Sequence, residues 1–162
     1  MRQIGFYLPL KQDTMKTKDK IKSYVEWLSA EELHYNTQNW MSKLDFAKDE
    51  QAFLDHLITD YTIDLVDSTV FNKIKPAIND LKDVENRFNT LYKKVSLHQN
   101  QLQIMIDDVD QIKMEEAYVK THMNLTIEVN TYFESYQSVK TKIFDIISSV
   151  MKKKKQKRLL KP

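Results

Sequence analysis

Glycine, proline and cysteine are scarce in this chain. Its 162 residues include one Gly, three Pro and no Cys. Gly and Pro supply the tight turns of β-sandwiches and doubly wound sheets, so their scarcity argues against both architectures. The lack of Cys excludes disulfides, a thiolate nucleophile and a zinc site with Cys ligands. It also fits a reducing compartment, and we expect a cytoplasmic protein.

Familiar catalytic motifs and long apolar runs are lacking as well. The sequence contains no glycine-rich phosphate loop, nucleophile elbow or H-E-x-x-H motif, so we expect a non-enzymatic protein with no cofactor and no small-molecule substrate. The apolar run from Ile4 to Leu10 is interrupted by Gly5 and Pro9. It is too short to cross a bilayer, and we interpret residues 1–13 as an extended N-terminal lead.

Amphipathic helix is the pattern that the chain does contain. Hydrophobic residues make up 41% of it and charged residues 30%, a balance typical of a folded helical protein. Two apolar series have steps that alternate between three and four residues. The first series runs from Ile74 to Ile112, and the second runs from Tyr118 to Val150. Such steps place every member on one stripe of an α-helix.

The two series mirror each other about residue 110. If the chain folds back there, their members pair at a constant index sum of 220, which places His98 opposite His122 and Phe88 opposite Tyr132. This relationship is the one expected of two antiparallel helices packed along their apolar stripes. The sequence therefore predicts a long coiled-coil-like hairpin over residues 68–151.

The first half of the chain predicts shorter helices. A helix over residues 15–28, capped by Asp13 or Thr14, precedes Ser29 and Glu32. The S-x-x-E spacing of Ser29 and Glu32 predicts a capping box and a new helix start. Asp49 is interpreted as the start of a further helix with Phe53 on its apolar stripe. Residues 30–66 are thus expected to form a short hairpin of two helices, 30–47 and 49–66.

The predicted fold class is all-α, an antiparallel helical bundle of about four helices over residues 14–151. An apolar lane beside each long series needs another layer to cover it. The short hairpin covers about half of the long hairpin, and either the helix over 15–28 or a second copy of the protein covers the rest. Trp27 and Trp40 are expected to anchor the junction between the two halves.

His98 and His122 are the non-apolar members of the two series. Facing imidazoles can satisfy each other when one ring donates a hydrogen bond and the other accepts it. Three interpretations stay open: a polar layer that fixes the hairpin register, a pH-sensitive layer, and a metal site. The metal site needs further ligands, and neither helix offers a carboxylate one turn away in its series.

The C-terminal residues 152–162 form a basic tail. They carry seven cations and no acid, whereas the remainder of the chain carries 18 cations against 23 acids. The cations are Lys152, Lys153, Lys154, Lys155, Lys157, Arg158 and Lys161. The plain interpretation is a solvated helix end whose cations complement the helix dipole. The alternatives are an anionic membrane, with Leu159 and Leu160 as a small apolar contact, nucleic acid bound without base stacking, or a nuclear import signal, which has the same composition.

The leading hypothesis is a non-enzymatic helical bundle that acts by protein–protein contact, including self-association, and ends in a flexible cationic tail. Its candidate interface is the apolar lane near Phe133, Ile147 and Ile78. One alternative is peripheral binding of anionic membrane or nucleic acid through the tail. The other is a metal-binding bundle that uses His98 and His122.

Overall fold

The computed structural model describes residues 19–160 apart from residues 22, 24, 26, 67 and 108–111. Its helices are α1 (Ala30–Asp60), α2 (Thr62–Leu65), α3 (Ser68–Asp107) and α4 (Ile112–Leu159). Residues 19–21, 23 and 25 are helical too. The all-α helical bundle predicted from the sequence is therefore confirmed. The predicted lead over residues 1–13 and the centre of the predicted turn near residue 110 lie outside the described residues.

Helices α3 and α4 form the predicted long hairpin. The imidazoles of His98 and His122 are in contact, and the rings of Phe88 and Tyr132 lie 6.1 Å apart between centroids. The described core contains members of both apolar series from Ile74 on α3 to Val150 on α4, each at most 6% exposed. The alternation of three and four residues thus predicted both the hairpin and its register.

Helix α1 corrects the predicted short hairpin. A single helix of 31 residues runs from Ala30 to Asp60, with no reversal at Asp49. Neither Gly nor Pro occurs near Asp49 to break the helix. The stripe is also shifted by one residue, because Leu54 is fully buried whereas Phe53 is 54% exposed. The residues that α1 buries are Leu33, Thr37, Leu44, Ala47, Gln51 and Leu54.

The start of α1 is fixed by the predicted capping box. The Ser29 hydroxyl accepts a hydrogen bond from the Glu32 backbone N–H at 3.2 Å, and the Glu32 carboxylate accepts one from the Ser29 N–H at 2.8 Å. These two bonds satisfy backbone donors that the first turn of a helix leaves free. The capping box therefore separates α1 from the helical residues before it.

Helix α1 runs antiparallel to α3 and parallel to α4. Its earlier residue Trp40 stacks on His122 of α4, and its later residue Phe53 lies beside Phe144. The residue numbers of α1 and α4 rise together along their contact, so the two helices run in the same direction. The result is a bundle of three long helices in up-down-up order, with the short α2 linking the first two.

The helical residues before Ser29 pack at the turn end of the hairpin. Val25 is 1% exposed and lies in a small core with Leu33 and Leu102. The sequence predicts the N-terminal helix or a second copy of the protein as the cover for the rest of the long hairpin. At this end of the hairpin, the cover is the N-terminal helix. The prediction for Trp27 was wrong, because its side chain is 86% exposed. Trp40 does join the core, partly buried against His122.

The basic segment is not a separate flexible tail. Helix α4 continues without a break through it to Leu159, and every residue from 151 to 160 is exposed. Lys161 lies outside the described residues. Of the helices that the structure describes, none has the length and apolar composition needed to cross a bilayer.

Candidate functional site

The histidine layer joins all three long helices. His98 Nε2 of α3 lies 3.1 Å from His122 Nδ1 of α4, and each residue is 1% exposed. Trp40 of α1 stacks on the His122 ring, with centroids 4.5 Å apart and planes inclined by 26°. The index-sum prediction that brought the two histidines together is confirmed, and Trp40 is a third member that it did not include.

Burial keeps both imidazoles neutral near pH 7. It lowers the pKa of His98 from 6.5 to about 4. Burial, followed by the proximity of His98, lowers the pKa of His122 to about 3. The buried His98 Nδ1 has no hydrogen-bond partner among the described residues. A buried ring nitrogen without a hydrogen-bond partner costs less free energy when it carries no proton. We therefore assign the proton of His98 to Nε2, which donates a hydrogen bond to His122 Nδ1.

The arrangement does not favour a metal at the histidines. The hydrogen bond uses the Nδ1 lone pair of His122 and the Nε2 proton of His98. These two atoms therefore cannot both bind a metal while that bond persists. Among the described residues, no group of three or more His, Asp or Glu side chains lies close enough to hold an ion. The role of the pair as a register device stays a prediction.

A second polar cluster crosses the core between α1 and α4, and sequence reasoning missed it. The buried Gln51 amide donates to the Tyr132 hydroxyl. Glu50 accepts hydrogen bonds from the Tyr136 hydroxyl at 3.1 Å and from Lys140 Nζ at 3.0 Å. The only sequence signal was a polar residue, Gln51, at a position in phase with Leu44 and Leu54, which becomes visible once α1 is known to be continuous.

Burial raises the pKa of both tyrosines in this cluster. The pKa of Tyr132 rises to about 12. The pKa of Tyr136 also rises, because of burial first and then because of the neighbouring Glu50 carboxylate. Both hydroxyls are therefore protonated donors or acceptors near neutral pH. They act as hydrogen-bonding groups that hold α4 against α1 rather than as bases.

An aromatic groove follows the contact between α1 and α4 on the outside of the bundle. We define it by Phe46 and Phe53 of α1 and by Phe133 and Phe144 of α4. Phe46 is 65% exposed, and the rings of Phe53 and Phe144 lie 6.5 Å apart. Around Phe46 and Phe133 the groove is open and has a volume of about 940 Å³. Exposed aromatic side chains that line one groove are typical of contact surfaces.

The predicted interface residues have different surroundings. Phe133 lies in the aromatic groove, where its ring meets Tyr132 edge-on. Ile78 is partly buried against the core. Ile147 is 1% exposed, so its assignment to an exposed interface was wrong. The sequence placed it in a side lane, whereas it lies with the core members Ile143 and Val150 on the inner face of α4.

The basic end of α4 lies beside α2. Lys154 Nζ pairs with the Asp64 carboxylate at 2.7 Å and lies 5.8 Å from the centre of the Tyr61 ring. An open groove of about 680 Å³ runs there, lined by Tyr61, Met151, Lys155 and Arg158 among others. The six predicted cations that the structure describes therefore lie on one exposed helical segment.

Comparison with known proteins assigns none of these sites. No protein-family model, curated protein or solved structure matches the chain. The arguments that follow therefore rest on the geometry of this chain.

Proposed function

We propose that the protein is a non-enzymatic helical bundle that acts by protein–protein contact, and that its partner is a second copy of the same chain. The observation that supports this is the aromatic groove, where Phe46 remains 65% exposed between two charged helices. Aromatic residues are enriched at interfaces because they bury a large area with few rotatable bonds. Burying this ring against another copy removes that area from water.

The charges around the groove suit contact between identical surfaces. Lys43 and Lys140 line it together with Glu50 and Glu134. A two-fold contact brings the same patch of each protomer together, so a patch of one sign would repel itself. A patch with both signs can place each cation opposite a carboxylate. In this proposal the α3–α4 hairpin is a coiled-coil scaffold for the interface, and the cytoplasm is the expected location.

The test is the mass of the full chain in solution, measured by sedimentation or light scattering over a range of concentrations. We expect a species of twice the monomer mass of 19.3 kDa that dissociates on dilution. Phe46→Asp should shift the equilibrium towards monomer by about 100-fold or more, since a buried charge at the centre of an interface is strongly unfavourable.

The matched control is Leu97→Asp. Leu97 is 59% exposed, but it lies on α3, outside the aromatic groove. Like Phe46→Asp, this substitution changes an exposed apolar helix residue to aspartate, but we expect the dimer to persist. A monomer at every concentration would contradict the proposal, and so would equal effects of the two substitutions.

A further inference from the structure

The last turns of α4 form a helical segment without a core of its own. The buried residues of α4 end at Val150, yet the helix continues to Leu159 with every residue exposed. Isolated helices of this length are marginal in water, because most helical stability in proteins comes from packing. Its cations also repel one another, since Lys153 and Lys157 are four residues apart on one face, as are Lys154 and Arg158. The segment is thus a charged helix without buried residues, and Lys154, which contacts Asp64 and Tyr61, connects it to the bundle.

Apolar side chains are exposed beside these cations. Leu159 is 76% exposed and Leu160 is 82% exposed. In the adjoining α2 region, Ile63 is 91% exposed and Val66 is 64% exposed. The Lys154–Asp64 ion pair ties that region to α4, so both groups of apolar residues lie at the same end of the bundle.

We propose that this end of the protein is a docking surface for an anionic phospholipid bilayer. Charge complementarity selects the partner, because Lys154 is the cation in residues 152–160 whose ion pair with an acid the structure shows. For the other cations of this segment, the described residues show no ion pair with an acid. We therefore expect them to bind anionic groups outside the chain. The exposed apolar residues distinguish a bilayer from nucleic acid, since they can enter the boundary between headgroups and acyl chains. A phosphate backbone offers them no comparable apolar environment.

The arrangement on α4 fits a helix lying along the surface. Met151, Lys155 and Leu159 are spaced by four residues, so they share one face of the helix, with Arg158 beside them. Apolar and cationic groups on one face allow the side chains to insert while the ammonium and guanidinium groups reach lipid phosphates. Each cation near such a surface is expected to strengthen binding about fivefold.

The experiment is co-sedimentation of the full chain with vesicles. One set contains phosphatidylcholine alone, and the other adds phosphatidylserine to about one third. We expect binding to the anionic vesicles, release at about 1 M salt, where the Debye length is about 3 Å, and little binding to the neutral vesicles. Lys155→Gln with Arg158→Gln should lower the partition coefficient by roughly tenfold or more. Leu159→Ser with Leu160→Ser should also lower it, without a change in net charge.

The control removes two charges elsewhere. Lys93→Gln with Lys120→Gln alters exposed residues of α3 and α4 distant from the basic end, and we expect less than a twofold effect because screening limits long-range attraction. Binding reduced equally by this control would overturn the proposal, as would absence of binding to the anionic vesicles. Tighter binding to a DNA duplex, unaffected by the two leucine substitutions, would overturn it in favour of nucleic acid. All these positions are exposed, so circular dichroism should confirm unchanged folding.

Discussion

His98 and His122 face each other across the hairpin, with Nε2 of the first 3.1 Å from Nδ1 of the second. One hydrogen bond between neutral rings makes a buried pair of imidazoles tolerable. It also makes the pair depend on protonation, because a proton on the acceptor nitrogen removes the bond and places a charge in the core.

We predict that this layer weakens the fold as the pH falls. The folded-state pKa values, about 4 for His98 and about 3 for His122, lie below the ordinary value of 6.5. The unfolded chain therefore takes up protons first on acidification. The stability contribution is complete above pH 6.5 and declines towards the folded-state values. We expect a loss on the order of a few kcal/mol between about pH 7.5 and about pH 4.5 in urea unfolding.

The double substitution His98→Leu, His122→Leu isolates this effect. It should remove most of the pH dependence, and two leucines should pack in the layer at little cost in stability at neutral pH. Other groups titrate in the same range, including Glu85, whose pKa is raised by burial and then by Asp55. That group favours the fold at lower pH and is common to both proteins, so it cancels in the comparison. An unchanged pH profile in the double variant would show that the histidines do not carry the effect.

Gln51 and Tyr132 should behave as a coupled pair. Tyr132→Phe leaves the buried amide of Gln51 without its acceptor, so we expect a loss of about 1–3 kcal/mol in the free energy of unfolding. Gln51→Met removes the amide at similar volume. In the double variant the second change should cost much less than it does alone, because no buried polar group remains unpaired. Strict additivity in chemical denaturation would mean that the hydrogen bond contributes nothing.

The apolar stripe of α1 can be tested at two neighbouring residues. Leu54 is fully buried and Phe53 is 54% exposed. Leu54→Ala should lower the free energy of unfolding by about 2–5 kcal/mol, because it leaves a cavity. In the monomer, at low protein concentration, Phe53→Ala should lower it by less than about 1 kcal/mol. The reverse order would support the short hairpin in place of a continuous α1.

The two tryptophans provide a matched comparison. Trp40 is partly buried and stacked on His122, whereas Trp27 is 86% exposed. We expect Trp40→Ala to lower the free energy of unfolding by at least about 2 kcal/mol and Trp27→Ala to change it by less than about 0.5 kcal/mol. Thermal or urea unfolding of the two variants measures this. Equal losses would mean that Trp27 also packs on the bundle.

The long hairpin could be predicted from the sequence because its signal is redundant. Many apolar positions obey one spacing rule, and an antiparallel pair must match them at a constant index sum. The contact between His98 and His122 followed from that rule alone. The apolar series of each helix therefore constrained the predicted register of the pair.

The sequence of α1 has no second apolar series that constrains its buried face in this way. One of its core positions, Gln51, is polar, so the buried stripe of its second half was concealed. Phe53 and Trp27 look like core residues by hydrophobicity, yet both are exposed. Hydrophobicity identifies what can be buried, whereas the partner surface decides which side is covered. The aromatic groove depends on that choice, and for this reason only its Phe133 was predicted.

The unbroken length of α4 fixes the distance between the two ends of the bundle. Its 48 residues rise by about 1.5 Å each, which places Lys155 about 55 Å from Tyr118 along a single axis. Tyr118 belongs to the small core around Val25, beside the exposed Trp27. The unbroken helix therefore keeps its basic end at a fixed separation from the small core at its other end.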